Sequence, residues 1–150
     1  MVRRKVVVAV ACLAVVGAGL SLYVVTRPDP PGRGDIDTSA FVAYPGSTLI
    51  KDTFQKADRG RYLDTGSYSN PTQLIRRYRL SSPVPRAEFY AWRDGIYRQA
   101  GWTLKSEVDA NRRLYIRTVG SRHHDLEFTL ITGGLDKPLV PEYEITYSVV

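Results

Sequence analysis

Twenty consecutive residues without a charge, Val6 to Val25, constrain this chain more than any other feature. Coiled as a helix at about 1.5 Å per residue, such a run is about 30 Å long, the hydrocarbon thickness of a bilayer. Helix is the form that satisfies every backbone N–H and C=O without water. Arg3, Arg4 and Lys5 precede the run, and Arg27 follows it before Asp29, Pro30 and Pro31 stop any further helix. An excess of basic residues on the N-terminal side orients that end toward the cytoplasm. The reading is a single-pass protein of the cell membrane. Residues 1–5 form a cytoplasmic basic N-terminus, 6–26 a transmembrane anchor in contact with the lipid bilayer, 27–40 a Pro/Gly spacer, and 41–150 an exported domain. Two variants export the same domain. One is secretion after signal cleavage at Val16-Gly17-Ala18; the other is lipidation of Cys12 behind Ala9-Val10-Ala11.

The formal charge of +6 belongs largely to that segment. Beyond Arg27 the remaining 17 basic residues face all 15 acidic ones, so the charge makes no case for nucleic-acid binding. The spacer contains Arg33-Gly34-Asp35, an adhesive tripeptide that a chain with this composition readily carries by accident. Its prolines and glycines read as a semi-extended connection.

From Phe41 onward the pattern is that of a small α+β domain. Ser81-Ser82-Pro83-Val84-Pro85 breaks the chain and starts a helix, with Phe89, Trp92, Ile96 and Ala100 at helical spacing and Gly101 as its cap. Thr48 to Phe54 and Leu74 to Leu80 read as strands before it. After it come alternating runs, with Trp102/Leu104/Ser106/Val108, Leu114/Ile116/Thr118, Leu126/Phe128/Leu130 and Tyr143/Ile145/Tyr147/Val149 as inner rows. The expected class is therefore α+β: an N-terminal transmembrane helix, then one amphipathic helix packed on one face of an antiparallel β-sheet. A single helix leaves the other sheet face open. Arg77, Arg79, Arg113, Arg117, Glu142 and Glu144 are placed there as an interaction face or a solvated ladder of cross-strand pairs.

Chemistry is thinly signalled. His123 and His124 are the two histidines, inside Arg122-His123-His124-Asp125-Leu126-Glu127. On a strand His123, Asp125 and Glu127 share a face and are the metal-ligand candidates, although side chains two apart along one strand stand about 7 Å from each other. One cysteine excludes a disulfide framework or a cysteine-rich zinc module. No G-x-S-x-G elbow, phosphate-cradling loop or dinucleotide fingerprint occurs. The ten tyrosines are unusual; Tyr78, Tyr90, Tyr97, Tyr143 and Tyr147 fall on inner rows, either as core or around an aromatic ligand pocket.

Tyr44-Pro45-Gly46-Ser47 before a strand, Phe89-Tyr90 on a helix and Gly101-Trp102 at its close form a pattern. It resembles that of small bacterial membrane-anchored or lipoprotein-like exported proteins, and the resemblance implies no catalytic residues. The functional expectation is a non-catalytic protein-interaction or ligand-binding module of the cell envelope, with an envelope protein as partner and without a cofactor. The alternative is an exported metal-dependent or hydrolytic enzyme using the His123/His124 pair.

Overall fold

A computed structural model of the chain describes residues 29–57, 70–132 and 139–149. Two 3-10 turns, Arg33–Asp35 and Thr38–Ala40, precede strands β1 (Ser47–Gln55) and β2 (Thr72–Pro85). The helix α1 (Arg86–Gln99) follows directly. Strands β3 (Thr103–Asp109), β4 (Arg112–Val119), β5 (Arg122–Ile131) and β6 (Leu139–Val149) complete the order. They form one six-stranded sheet, β1-β2-β6-β5-β4-β3, and each neighbouring pair is antiparallel. The helix therefore carries the chain from β2 to the far edge, and the β3–β6 meander returns it to β2.

The helix has no loop before it, and Pro85 supplies a fixed φ of −56° at the strand–helix junction. At its other end the N–H of Trp102 donates to Tyr97 O at 2.9 Å and that of Gly101 to Arg98 O at 3.1 Å. With Gly101 at φ +79° this is a Schellman close, which needs a residue free to enter the left-handed region. The buried face of α1 is Phe89, Tyr90, Arg93 and Tyr97. It is rotated from the expected Phe89/Trp92/Ile96/Ala100 row: Trp92 and Ile96 are only partly buried and Ala100 is exposed. The long rings reach the sheet from positions where shorter side chains would not.

Below the helix run the buried rows of β2 (Leu74, Tyr78, Leu80), β6 (Tyr143, Ile145, Tyr147, Val149) and β5 (Leu126, Phe128, Leu130). Tyr78 lies opposite Tyr143, and Leu126 is flanked by Tyr147 and Tyr115. That register corrects the expected inner row of β4. Tyr115, 2% exposed, faces the helix with Arg113 and Arg117 on either side of it, whereas Leu114 and Ile116 lie on the other face. All seven residues of β3 are exposed, so this edge strand has no inner row of the expected kind.

Residues from 29 onward are built into the domain where a loose spacer was expected. Pro30, Pro31, Ile36, Ala40 and Phe41 are buried, and the segment is tied down by tyrosine hydroxyls. Tyr97 donates to Ala40 O at 3.2 Å and Tyr78 to Phe41 O at 3.3 Å, while Tyr143 accepts from Tyr44 N–H at 2.8 Å. Thr72 donates to Pro31 O at 2.7 Å. The strap so formed covers the end of the sheet beside the C-terminus of α1.

The class expected from sequence is corrected. The described chain is mostly sheet, six antiparallel strands with one α-helix, in place of a membrane helix plus a packed amphipathic helix. Among the described residues no helix is long and apolar enough to cross a membrane. The membrane and transmembrane assignment, and with it a single-pass cell-membrane location, is therefore withdrawn; residues 6–26, on which it rested, lie outside the described residues. Cys12 and the cleavage site at 16–18 lie outside them too.

Candidate functional site

The six charged residues expected on one interaction face are divided between two. Arg77 and Arg79 stand directly opposite Glu144 and Glu142, and both pairs close, at 3.0 Å and 2.8 Å. They form a cross-strand ladder on the face away from α1 and neutralise each other. Arg113 and Arg117 point the other way. Arg117 donates to Asp37 at 2.6 Å and to Ala100 O at 3.2 Å, over the Trp102 ring. It fastens the strap to the helix end.

The histidines, adjacent on a strand, necessarily project to opposite faces. His124 is buried with Nδ1 2.7 Å from the Tyr147 hydroxyl. His123 is exposed beside Thr118 at 3.4 Å. Asp125 and Glu127 share the outer face with His123, but Glu127 lies beside Arg112 at 3.6 Å. Among the described residues no group of three His, Cys, Asp or Glu is arranged to hold a metal ion. Nor does the adhesive tripeptide present its charges freely: it is a 3-10 turn with Arg33 held by Asp52 and Asp35 by Arg122, each at 3.2 Å.

A concave site lies elsewhere. Between the N-terminal half of α1 and the β3–β4 hairpin is a cleft of about 690 Å³. Ala87 and Ala91, one helical turn apart, leave room on the helix side. Pro85, Tyr90 and Ala110 make the remaining apolar wall, and Arg86 lines the cleft beside them. Arg113 crosses the cleft with its guanidinium 3.9 Å from the centre of the Tyr90 ring, and two carboxylates hold it there, Asp94 at 2.6 Å and Glu107 at 2.7 Å. Tyr115 donates a short hydrogen bond to the same Asp94. Glu107 and Asp109 stand at the rim with side chains 60% and 44% exposed.

Burial raises the Tyr90 hydroxyl to about 12, and its proton is donated to Ala110 O. Burial and then the Asp94 carboxylate raise Tyr115 as well. Burial works against the charge of Arg113, but the Asp94 hydrogen bond and the fields of Asp94 and Glu107 more than reverse this and hold its pKa above the ordinary arginine value. The tyrosines are thus fixed neutral and Arg113 fixed positive at any physiological pH. Such an arrangement offers an aromatic and apolar wall with a carboxylate rim.

The sequence pattern missed this cleft because its residues are individually ordinary: two alanines, a tyrosine and charges spread over three elements. The one available signal was Ala87/Ala91/Asp94, a stripe too small to cover the sheet beneath it. The sequence also passed over Arg93, which is 0% exposed and donates to Tyr97 Oη at 3.1 Å among four aromatic rings. No known protein-family model, curated protein or solved structure matches the chain. The Tyr44–Ser47 and Gly101-Trp102 motifs have local work here. Ser47 Oγ donates to Tyr44 O at 2.6 Å around Gly46, whose φ is +74°, and Gly101 closes the helix.

Proposed function

We propose that the domain is a non-catalytic binding module whose ligand seats an apolar group carrying a positive charge in the cleft between α1 and the β3–β4 hairpin. The observation that carries this reading is the pairing of an apolar Pro85/Ala87/Tyr90/Ala91 wall with exposed Glu107 and Asp109 at the rim of a 690 Å³ space. Arg113 already spends its charge on Asp94 and Glu107, so an anionic ligand gains little from it. The cleft is lined by three carboxylates, Asp94, Glu107 and Asp109, against two guanidiniums, Arg86 and Arg113. An ammonium or guanidinium at the rim therefore meets the surplus negative charge of Glu107 and Asp109, even though Arg113 and Arg112 lie 2.7 Å and 3.7 Å from them.

Phenethylamine and phenylacetate serve as matched probes, followed by backbone amide shifts of the full chain. The amine should saturate shifts at Ala87, Ala91 and Ala110 with Kd of about 1–10 mM, as befits nine heavy atoms, and the acid should bind at least about fivefold more weakly. Ala91→Trp fills the cleft from an exposed helix position and should abolish the response. Equal binding of both probes, or amine binding that survives Ala91→Trp, would falsify the reading.

A further inference from the structure

We infer that Arg113 makes the cleft between α1 and the β3–β4 hairpin selective for aromatic amines, the ligand's ring lying flat on the guanidinium and its ammonium at Glu107. The inference rests on the binding reading above and adds to it the kind of apolar group the site takes. Tyr90 is the aromatic residue of the cleft, yet one side of its ring is already covered. The Arg113 guanidinium lies over it, 3.9 Å from the ring centre. Arg113 is in turn pinned, Nη1 by Asp94 at 2.6 Å and Nη2 by Glu107 at 2.7 Å. A guanidinium donates its hydrogen bonds in its own plane. With both ends engaged there and one flat side on Tyr90, the side chain, still 17% exposed, offers a ligand its other flat side. That side is weakly hydrated, and a π-system meets the cation with its negative face. A saturated ring of the same size has no such face to present.

The same contact fixes where the ligand's charge goes. Glu107 lies opposite Arg113 in the β3–β4 register and touches Nη2, while its side chain stays 60% exposed at the rim. A ring seated on the guanidinium therefore has a carboxylate at its edge, within reach of an ammonium on a short tether. Ala87 and Ala91 are small enough to leave room for the ring on the helix side. The stack is held before any ligand arrives. Tyr90 is anchored by its hydroxyl on Ala110 O at 3.3 Å, and Arg113 by its two carboxylates. A ligand that meets groups already fixed loses less of its binding energy to ordering them.

Phenethylamine and cyclohexylethylamine have the same heavy atoms and the same charge, and differ in whether the ring is flat and aromatic. The saturated ring is the more apolar, so a plain hydrophobic wall would bind it equally or more tightly. Titrated against the full chain and followed by amide shifts, phenethylamine should bind at least about threefold more tightly. The side-chain Nε–H resonance of Arg113 should move upfield with phenethylamine, whose ring current acts above the guanidinium, and stay in place with the saturated amine. Arg113→Lys keeps a cation between Asp94 and Glu107 but removes the flat side, so the folded variant should bind both amines and lose the preference. Should that variant fail to fold, the parent's two titrations and its Nε–H shift still decide. Equal or tighter binding of cyclohexylethylamine by the parent overturns this inference alone and leaves the amine site standing. Binding of neither amine overturns the site as well. A folded Arg113→Lys that keeps the preference hands the ring to Arg86, which also lines the cleft, and overturns the inference. So does one that binds neither amine, since Arg113 would then shape the cleft without reading the ring.

Discussion

Arg93 sits in the middle of the buried face of α1, at the position between Phe89 and Tyr97 where an aliphatic side chain would be ordinary. Its Nη1 donates to Tyr97 Oη, while Nε and Nη2 have no hydrogen-bond partner among the described residues. What surrounds the cation instead is aromatic: Trp92 at 4.5 Å, Phe128 at 4.6 Å, Tyr97 at 4.9 Å and Tyr143 at 5.6 Å from the guanidinium carbon. Taking such a charge out of water costs several kcal/mol, and a desolvated ring contact returns about 1–2 kcal/mol, so four rings roughly offset the cost. Arg93→Met keeps most of the volume and removes both terms. Its unfolding free energy in urea should lie within about 1 kcal/mol of the parent or above it, whereas Arg93→Ala, which leaves a hole among the rings, should lose about 2–4 kcal/mol. A loss above about 3 kcal/mol for the methionine variant would mean that the rings do far more than balance desolvation. No sequence pattern could have announced this residue, because helical spacing ranks an arginine as an outward position and only the packed rings make it an inward one.

At the scale of the elements, a glycine inside α1 and one just past its end carry opposite predictions. Gly95 lies inside the helix, and a Cβ added there meets nothing within 4 Å. Gly95→Ala should therefore raise stability by about 0.5–1 kcal/mol, through backbone entropy alone. Gly101 also has open space around it, but its φ of +79° belongs to the helix close, so Gly101→Ala should lower stability by about 1 kcal/mol. Chemical denaturation of the two variants side by side checks both signs; equal shifts would show that neither backbone conformation matters. The same elements show what was legible. Alternation in β5 and β6 marked strands and inner rows together, since Leu126, Phe128, Tyr143, Ile145 and Tyr147 are all buried. In β4 alternation marked the strand but chose the wrong face, because Leu114 and Ile116 outscore Arg113 and Arg117 in apolarity while Tyr115 makes the core contact. Cross-strand register decides that choice, and register is not written in one strand's sequence. The cleft was illegible for a similar reason: its walls come from the helix and from a hairpin, and only the crossing from β2 to β3 brings them side by side.

The molecule as a whole is closed by the strap before β1, and its fastening is electrostatic on one side. Asp37 accepts from Arg117 at 2.6 Å, and Asp35 pairs with Arg122 at 3.2 Å. His124 lies between these arginines, and burial, then Arg117 and Arg122, hold its pKa below the ordinary histidine value of 6.5. Protonating it adds a third cation to the cluster that binds the strap. The fold therefore favours neutral His124. Its contribution to stability is complete above about pH 6.5 and declines below it, where the unfolded chain takes up the proton first. Burial works against ionisation of Asp37, but the bonds from Arg117 and Ser39 prevail and hold its pKa below 3.8. That contribution is present above pH 3.8 and is lost as pH falls through the lower folded value. Acid should thus unfasten the protein in two stages, one setting in below about pH 6.5 from His124 and one below pH 3.8 from Asp37. His124→Gln, which leaves a polar group facing Tyr147, should flatten melting temperature against pH across the first stage and leave the second unchanged. Asp37→Asn should lower stability at neutral pH and flatten only the second. Parallel curves for His124→Gln and the parent from pH 7.5 to 5 would mean that the arginine pair does not sense the imidazole, and that the strap is held by the tyrosine hydroxyls of Tyr78, Tyr97 and Tyr143 irrespective of charge.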